Sequence, residues 1–210
     1  MPIIAIEGGD AAGKNTQSKL LATALESKGS RVVQRSFPQY ATETGKAILR
    51  HLKGQILTVG TVGLQRVPED GMFFQCAMTL DKLVAAEQMD AFDPDCWIIC
   101  DRWWQSAYAY GKADGVDPAW LLEINRLVPF ARHNFYIHVP AEVAQARRPE
   151  ARDRYEANRE HQAAVVENYK QLWNDTSLHI PGEQWHWIDG TRSIEEVHQQ
   201  ILKIVTEGGV

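Results

Sequence analysis

Ile3-Ile4-Ala5-Ile6-Glu7-Gly8-Gly9-Asp10-Ala11-Ala12-Gly13-Lys14-Asn15-Thr16 places a short apolar run, a glycine-rich turn and the start of a helical stretch in immediate succession. Gly8 to Lys14 fits G-x-x-x-x-G-K, the pattern of a loop that cradles phosphate, except that Asn15 stands where Ser or Thr is usual. The glycines let the backbone of Gly8, Gly9, Ala11, Ala12 and Gly13 turn its N–H groups inward around phosphate oxygens. The following helix aims its positive end at the same point, and Lys14 supplies a point charge for the β- and γ-phosphates of a nucleotide. Strand, loop spacing, lysine and helix all occur in the required order, so nucleotide binding is the expectation. The hydroxyl normally found at position 15 ligates Mg²⁺. An amide oxygen at Asn15 is a longer, differently angled neutral ligand, and Thr16 falls one place late, so Mg²⁺ is expected to be kept but held less firmly.

Working outward, short apolar runs bounded by turn formers alternate with helical patterns to the end of the chain, which reads as α/β: a parallel sheet with helices on both faces. The predicted strands are residues 3–7, 31–36, 96–100, 134–139 and 185–189. The predicted helices are residues 14–28, 42–52, 71–89, 103–113, 118–127, 142–147, 155–173 and 194–206. Residues 54–68 have no clear period and read as an irregular connection. At 210 residues, with neither linker nor repeat, one domain over 1–210 is expected.

Composition narrows the function. Hydrophobic residues make up 44% and no apolar run approaches the length of a membrane span, so a soluble protein is expected. Lys and Arg total 22 against 27 for Asp and Glu, a formal charge of -5, which leaves no broad basic surface for nucleic acid. Nor is a membrane partner expected. The opening Pro2-Ile3-Ile4 has no basic leader, so the expected compartment is the cytoplasm, that of the host for a viral chain. Cys76, Cys96 and Cys100 read as buried small side chains, and the seven histidines are too scattered for a metal site. Arg147, Arg148, Arg152, Arg154 and Arg159 form the one basic concentration, which in isolation reads equally as a solvated helix face.

A phosphate loop alone does not separate kinases from switches or motors. The chain resembles the thymidylate kinase family, which phosphorylates a deoxynucleoside monophosphate with ATP. The matching residues are Glu7 to Leu21, Phe37-Pro38, Asp101-Arg102-Trp103 with Ser106, Ala109 and Tyr110, Asp153-Arg154-Tyr155-Glu156, and Trp187 to Ile201. The resemblance spans nearly the whole chain. It implies a P-loop NTPase fold of five parallel strands with a short arginine-bearing lid at about 147–156, small-molecule nucleotide ligands and a homodimer.

By the same resemblance, Arg102 grips the monophosphate and Asp10 accepts the sugar 3'-hydroxyl. Arg148, Arg152 and Arg154 supply the catalytic charge that loops with an arginine at position 11 provide themselves. Arg147, Thr191 and Arg192 match the adenine side, and Tyr110 the ring against the sugar 2'-carbon, while Tyr155 joins the substrate set. Asp101 ends an apolar strand as a Mg²⁺-holding carboxylate does, and a helix cap is its alternative. For Asp10 the alternative is stabilising its own loop, and for Arg102 pairing with Asp101.

The base pocket departs from the family. Aligned there, Met78 stands where a Phe usually stacks, Lys82 where an Arg reaches the base, Gly111 where a polar side chain meets it, and Tyr40 where an Arg touches phosphate. Phe37, Pro38, Gln75, Met78 and Ser106 remain as pocket walls, although Met78 reads equally as helix core. The leading expectation is phosphorylation of dTMP or a dTMP-like nucleotide. One alternative is the same reaction on a modified pyrimidine or a purine. A second is a catalytically weakened nucleotide-binding regulatory protein, motivated by Asn15 and Tyr40.

Overall fold

The alternation of apolar and amphipathic stretches becomes five parallel strands and the helices between them in the computed structural model, which describes residues 2–53, 70–89, 92–147 and 158–207. In chain order the elements are β1 (Ile3–Glu7), α1 (Lys14–Ser27), β2 (Val32–Ser36), α2 (Glu43–Leu52), α3 (Asp70–Met89), β3 (Trp97–Asp101), α4 (Trp104–Ala113), α5 (Pro118–Asn125), β4 (His133–His138), α6 (Ala141–Arg147), α7 (Arg159–Asn174), β5 (Gln184–Asp189) and α8 (Ile194–Glu207). A 3-10 turn at Thr176–Leu178 has no counterpart among the predicted elements. The predicted strands and helices are all present, with ends displaced by a residue or two, except that α7 begins at Arg159, capped by Asn158, rather than at 155. Residues 54–68 and 155–157 lie outside the described residues.

The sheet order is β2-β3-β1-β4-β5, with Ile4 beside Ile99 on one side and beside His133 on the other. Because β1 is central and covered on both faces, its residues are all buried and alternate between two cores. Ile3 and Ala5 pack with Ile98 and Cys100 against Trp103, Trp104, Leu121 and Leu172 of the α4, α5 and α7 side. Ile4 and Ile6 pack with Ile99, Phe135 and Ile137 against Leu21 and Leu25 of α1 and Val197, Ile201 and Val205 of α8. Each such aliphatic side chain contributes about 1.5–3 kcal/mol on burial, which makes this double-sided strand a rigid base for the loop that follows it.

From β1 the chain crosses to the edge strand β2, returns through β3, and then passes to β4 on the opposite side. The crossover leaving β1 runs to one side of the sheet and the crossover leaving β3 to the other, which opens a crevice at the carboxyl ends of β1 and β3, where sheets of this kind hold ligands.

Cys96 and Cys100 are buried as expected, but Cys76 is exposed. Position 76 falls on the outward face of α3 together with Phe73 and Leu80, three and four residues away, so helical geometry overrides the usual burial of cysteine. No helix among the described residues is long and apolar enough to cross a membrane.

Candidate active site

The glycine-rich turn after β1 is built by conformations that few side chains tolerate. Gly8 has φ 149° and Gly13 φ 92°, and a Cβ at Gly8 would lie 2.6 Å from the Ile137 carbonyl oxygen. Helix α1 begins at Lys14 with no side-chain cap and no acidic residue in its first turn. Its leading amides are thus left for an anion. Lys14 is buried, and its Nζ donates to the Gly9 carbonyl at 2.7 Å. Burial, aided by the Arg102 charge, lowers its pKa to about 8 against the opposing pull of Asp101, Asp10 and Glu7.

This loop forms one wall of a cleft of about 890 Å³. Asp10, Ala11, Gly13, Lys14, Asn15 and Thr16 line it from the loop, Phe37, Pro38 and Tyr40 from the turn after β2, Phe74, Gln75 and Met78 from α3, and Asp101, Arg102, Ser106 and Tyr110 from β3 and α4. Most of the predicted site residues are therefore brought to one cavity from four separate parts of the chain.

Arg102 lies at its centre. It follows β3 with φ 71°, a left-handed conformation uncommon outside glycine. Its amide donates to the Ile6 carbonyl at 3.0 Å, and its guanidinium reaches Asp10 Oδ1 at 2.5 Å and the Tyr110 hydroxyl at 3.1 Å. Arg102 pairs with Asp10 rather than with Asp101. Tyr110 and Gln162 donate to Asp10 Oδ2 at 3.0 and 2.9 Å. Burial pushes the Asp10 carboxyl up, but Arg102, Lys14 and these two hydrogen bonds outweigh it and hold the group below the usual carboxylate range.

Glu7 was not anticipated as a site residue, and it organises the floor. It is 1% exposed; Oε1 accepts the Trp103 amide at 2.5 Å, and Oε2 accepts the hydroxyls of Ser106 at 2.6 Å and Tyr169 at 2.7 Å. These bonds hold the turn in which Arg102 sits. An acidic residue closing an apolar strand was the available signal, but its partners lie 96 to 162 residues away. Glu7→Gln is expected to lower unfolding stability by about 1.5–3 kcal/mol, the worth of hydrogen bonds to a charged group. The reading is the midpoint of urea unfolding at constant m value, and an unchanged midpoint would contradict this account.

Two predicted base contacts are placed elsewhere. Lys82 does not line the cleft: it is wholly buried one helical turn beyond Met78, donates to the Met78 carbonyl at 2.9 Å and lies 5.9 Å from the centre of the Phe37 ring. Burial lowers its pKa to about 8 against the attraction of Glu7 and Asp81. The residues of α3 that do face the cavity four apart are Phe74 and Met78, so the expected pairing was displaced by one turn. Gly111 also lies off the cleft, where a Cβ would meet Leu121 Cδ2 at 2.6 Å, so the missing side chain makes room for helix packing rather than for ligand.

Gly8, Gly9 and Ala12 do not themselves line the cavity. On the far side Arg147 donates to the Gly190 carbonyl at 2.7 Å, beside the turn in which Thr191 and Arg192 both bond Asp189. The three residues expected at the adenine thus sit together, outside the cleft lining. Arg148, Arg152, Arg154 and Tyr155 lie outside the described residues. No group of three or more His, Cys, Asp or Glu is placed to hold a metal among the described residues. Asn15 and Asp101 nonetheless line the phosphate end of the cleft together, a sparse oxygen set that suits Mg²⁺ carried mostly by phosphates and water.

Comparison with known proteins agrees with this arrangement. Residues 6–201 match the family described as Thymidylate kinase. The thymidylate kinase of Plasmodium falciparum is 29% identical over 97% of this chain and 89% of its own, and the human one 26% identical over 99% and 91%. A probable thymidylate kinase of Thermococcus kodakarensis is 29% identical over 96% of both chains. A solved thymidylate kinase from Candida albicans superposes with a TM-score of 0.78 at 23% identity, covering 99% of this chain and 92% of that one, which supports the same fold. A match running from β1 into α8, over a sheet of the same fold and a cleft that joins a phosphate loop to an arginine and a carboxylate, means that this chain belongs to the thymidylate kinase family.

Proposed function

We propose that the chain transfers the γ-phosphoryl group of ATP to dTMP, giving dTDP and ADP. The observation that carries this reading is the continuity of one cleft from Lys14 and the loop amides, past Arg102, Asp10 and Tyr110, to the apolar wall of Phe37, Phe74 and Met78. A donor phosphate, an acceptor phosphate with its sugar, and a base fit such a sequence of chemistries. In the reaction an acceptor phosphate oxygen attacks the γ-phosphorus, the bond to the β–γ bridging oxygen breaks, and ADP leaves. Lys14 and Arg102 stabilise charge on the moving group and align the two anions. Asp10, ionised through its partners, accepts the sugar 3'-hydroxyl, and the Tyr110 ring presses where a 2'-hydroxyl would stand.

By the family resemblance, Arg148, Arg152 and Arg154 complete the charge from the lid, Tyr155 contributes to the acceptor site, and Arg147, Thr191 and Arg192 flank the adenine. Asn15 and Asp101 would hold Mg²⁺, which when bound offsets phosphate charge. A homodimer forms through the outward face of α3, where Phe73 and Leu80 are 46% and 51% exposed.

The case for an unusual base weakens, because Lys82 and Gly111, two of the departures behind it, do not line the cleft. ADP release from ATP and Mg²⁺ with dTMP, dUMP, dCMP, dAMP and dGMP in turn tests the reading. The expected result is the highest kcat/KM with dTMP; a folded chain that binds ATP and turns over none of the five would instead be a regulatory nucleotide-binding protein.

A further inference from the structure

Gln75 projects from α3 onto the base end of the cleft, is 1% exposed, and has no hydrogen-bond partner at either Oε1 or Nε2 among the described residues. The described groups of that wall offer it none. Phe74 and Met78 are apolar, the Lys82 ammonium is turned to the Met78 carbonyl, and the Ser106 hydroxyl is engaged by Glu7 at 2.6 Å and Tyr169 at 2.8 Å. Glycine at 111 makes the placement feasible, since a Cβ there would approach Gln75 Cγ to 3.0 Å. Burying an amide with both ends open destabilises the unliganded fold, and native proteins rarely keep such a group without a use. A carboxamide carries one acceptor and one donor side by side, a match for the imide edge of a thymine-type base.

We propose that Gln75 is the specificity-determining residue for the acceptor base, its Oε1 accepting the base N3–H and its Nε2 donating to the O4 carbonyl. This rests on the acceptor reading given above and names the group that enforces it. Met78, unbranched and flexible, is the side chain that yields to let the base edge reach the amide. Van der Waals contact with Phe37 and Phe74 holds any flat base, whereas Gln75 rewards only one with a donor and an acceptor at the right edge. A site built to hydrogen-bond its substrate discriminates far more strongly than an apolar slot, because the wrong base leaves the buried amide unpaired.

Gln75→Met keeps length and shape, and so the packing beside Gly111, while removing both hydrogen bonds. The expected result is a KM for dTMP raised roughly 10- to 100-fold with the KM for ATP unchanged. The melting temperature should hold or rise, which a purely structural glutamine would not produce. On the unaltered chain, the side-chain ¹⁵N–¹H₂ resonances of Gln75 should shift on adding dTMP and stay in place on adding ADP, a measurement that does not depend on the variant folding. A dTMP KM within twofold of the parent value, an equal rise in the KM for ATP, or unmoved resonances would overturn the proposal. If the unaltered chain phosphorylates no deoxynucleoside monophosphate, the acceptor reading itself fails, and this inference with it.

Discussion

Lys14→Ala is expected to lower kcat by roughly 10²–10³-fold, the usual cost of removing a preorganised electrostatic donor from a water-excluded site. The fold should survive, because Lys14 serves the loop by one bond to the Gly9 carbonyl, while the neighbouring strand is anchored in two apolar cores. The same residue sets a pH dependence. With a pKa lowered to about 8, the Lys14 ammonium is half neutral at that pH before nucleotide binds. Phosphate favours the charged form, so binding takes up a proton there, and nucleotide affinity falls as the pH rises past 8. For the free protein the sign is opposite: between about 8 and 10.5 the unfolded chain holds more protons at this residue, so its contribution to stability grows with pH. Titration calorimetry of ADP at pH 8 in buffers of different ionisation enthalpy reads the uptake directly. It should be present in the parent and absent in Lys14→Ala; near-normal turnover by a folded variant would remove the phosphate-loop assignment.

Arg102→Ala should reduce kcat/KM for dTMP by a comparable 10²–10³-fold while changing the KM for ATP only a few-fold. Arg102→Lys should recover little of it. A single ammonium cannot span Asp10 and the Tyr110 hydroxyl and still face a phosphate as a planar fork does. Removing the guanidinium also takes away the strongest influence holding the Asp10 carboxyl low, leaving Lys14, Tyr110 and Gln162 against its burial, so its pKa rises. The carboxyl then protonates at a higher pH than in the parent, and the acid limb of the kcat/KM profile moves upward. Full activity in Arg102→Lys, or an unmoved acid limb in Arg102→Ala, would show that the arginine neither grips the acceptor nor holds Asp10 ionised.

Much of this architecture is legible without coordinates because it is local. Ile3 to Glu7 reads as a strand from its apolar run, and Gly8 to Lys14 as a phosphate loop from glycine spacing. These depend on backbone sterics and on residues adjacent in the chain, so the amino-acid order alone determined that a sheet strand would deliver Lys14 to the start of a helix. The placement of Arg102 and Asp101 at the end of an apolar strand followed in the same way.

What only the tertiary structure decided depends on packing between distant segments. The sequence shows Glu7 as an acidic residue at a strand end; that it binds Trp103, Ser106 and Tyr169 results from α4 and α7 converging on β1. Lys82 and Met78 are one helical turn apart on the same face and equally plausible against a base, and the position of α3 along its own axis relative to its neighbours put Met78 on the cleft and Lys82 in the core. The rotation of α3 turned Cys76 outward and Gln75 inward, onto the space that Gly111 leaves. Helical periodicity specifies which residues share a face, but which face is buried is set by the whole apolar surface of the partners, and that is assembled only when the chain has folded.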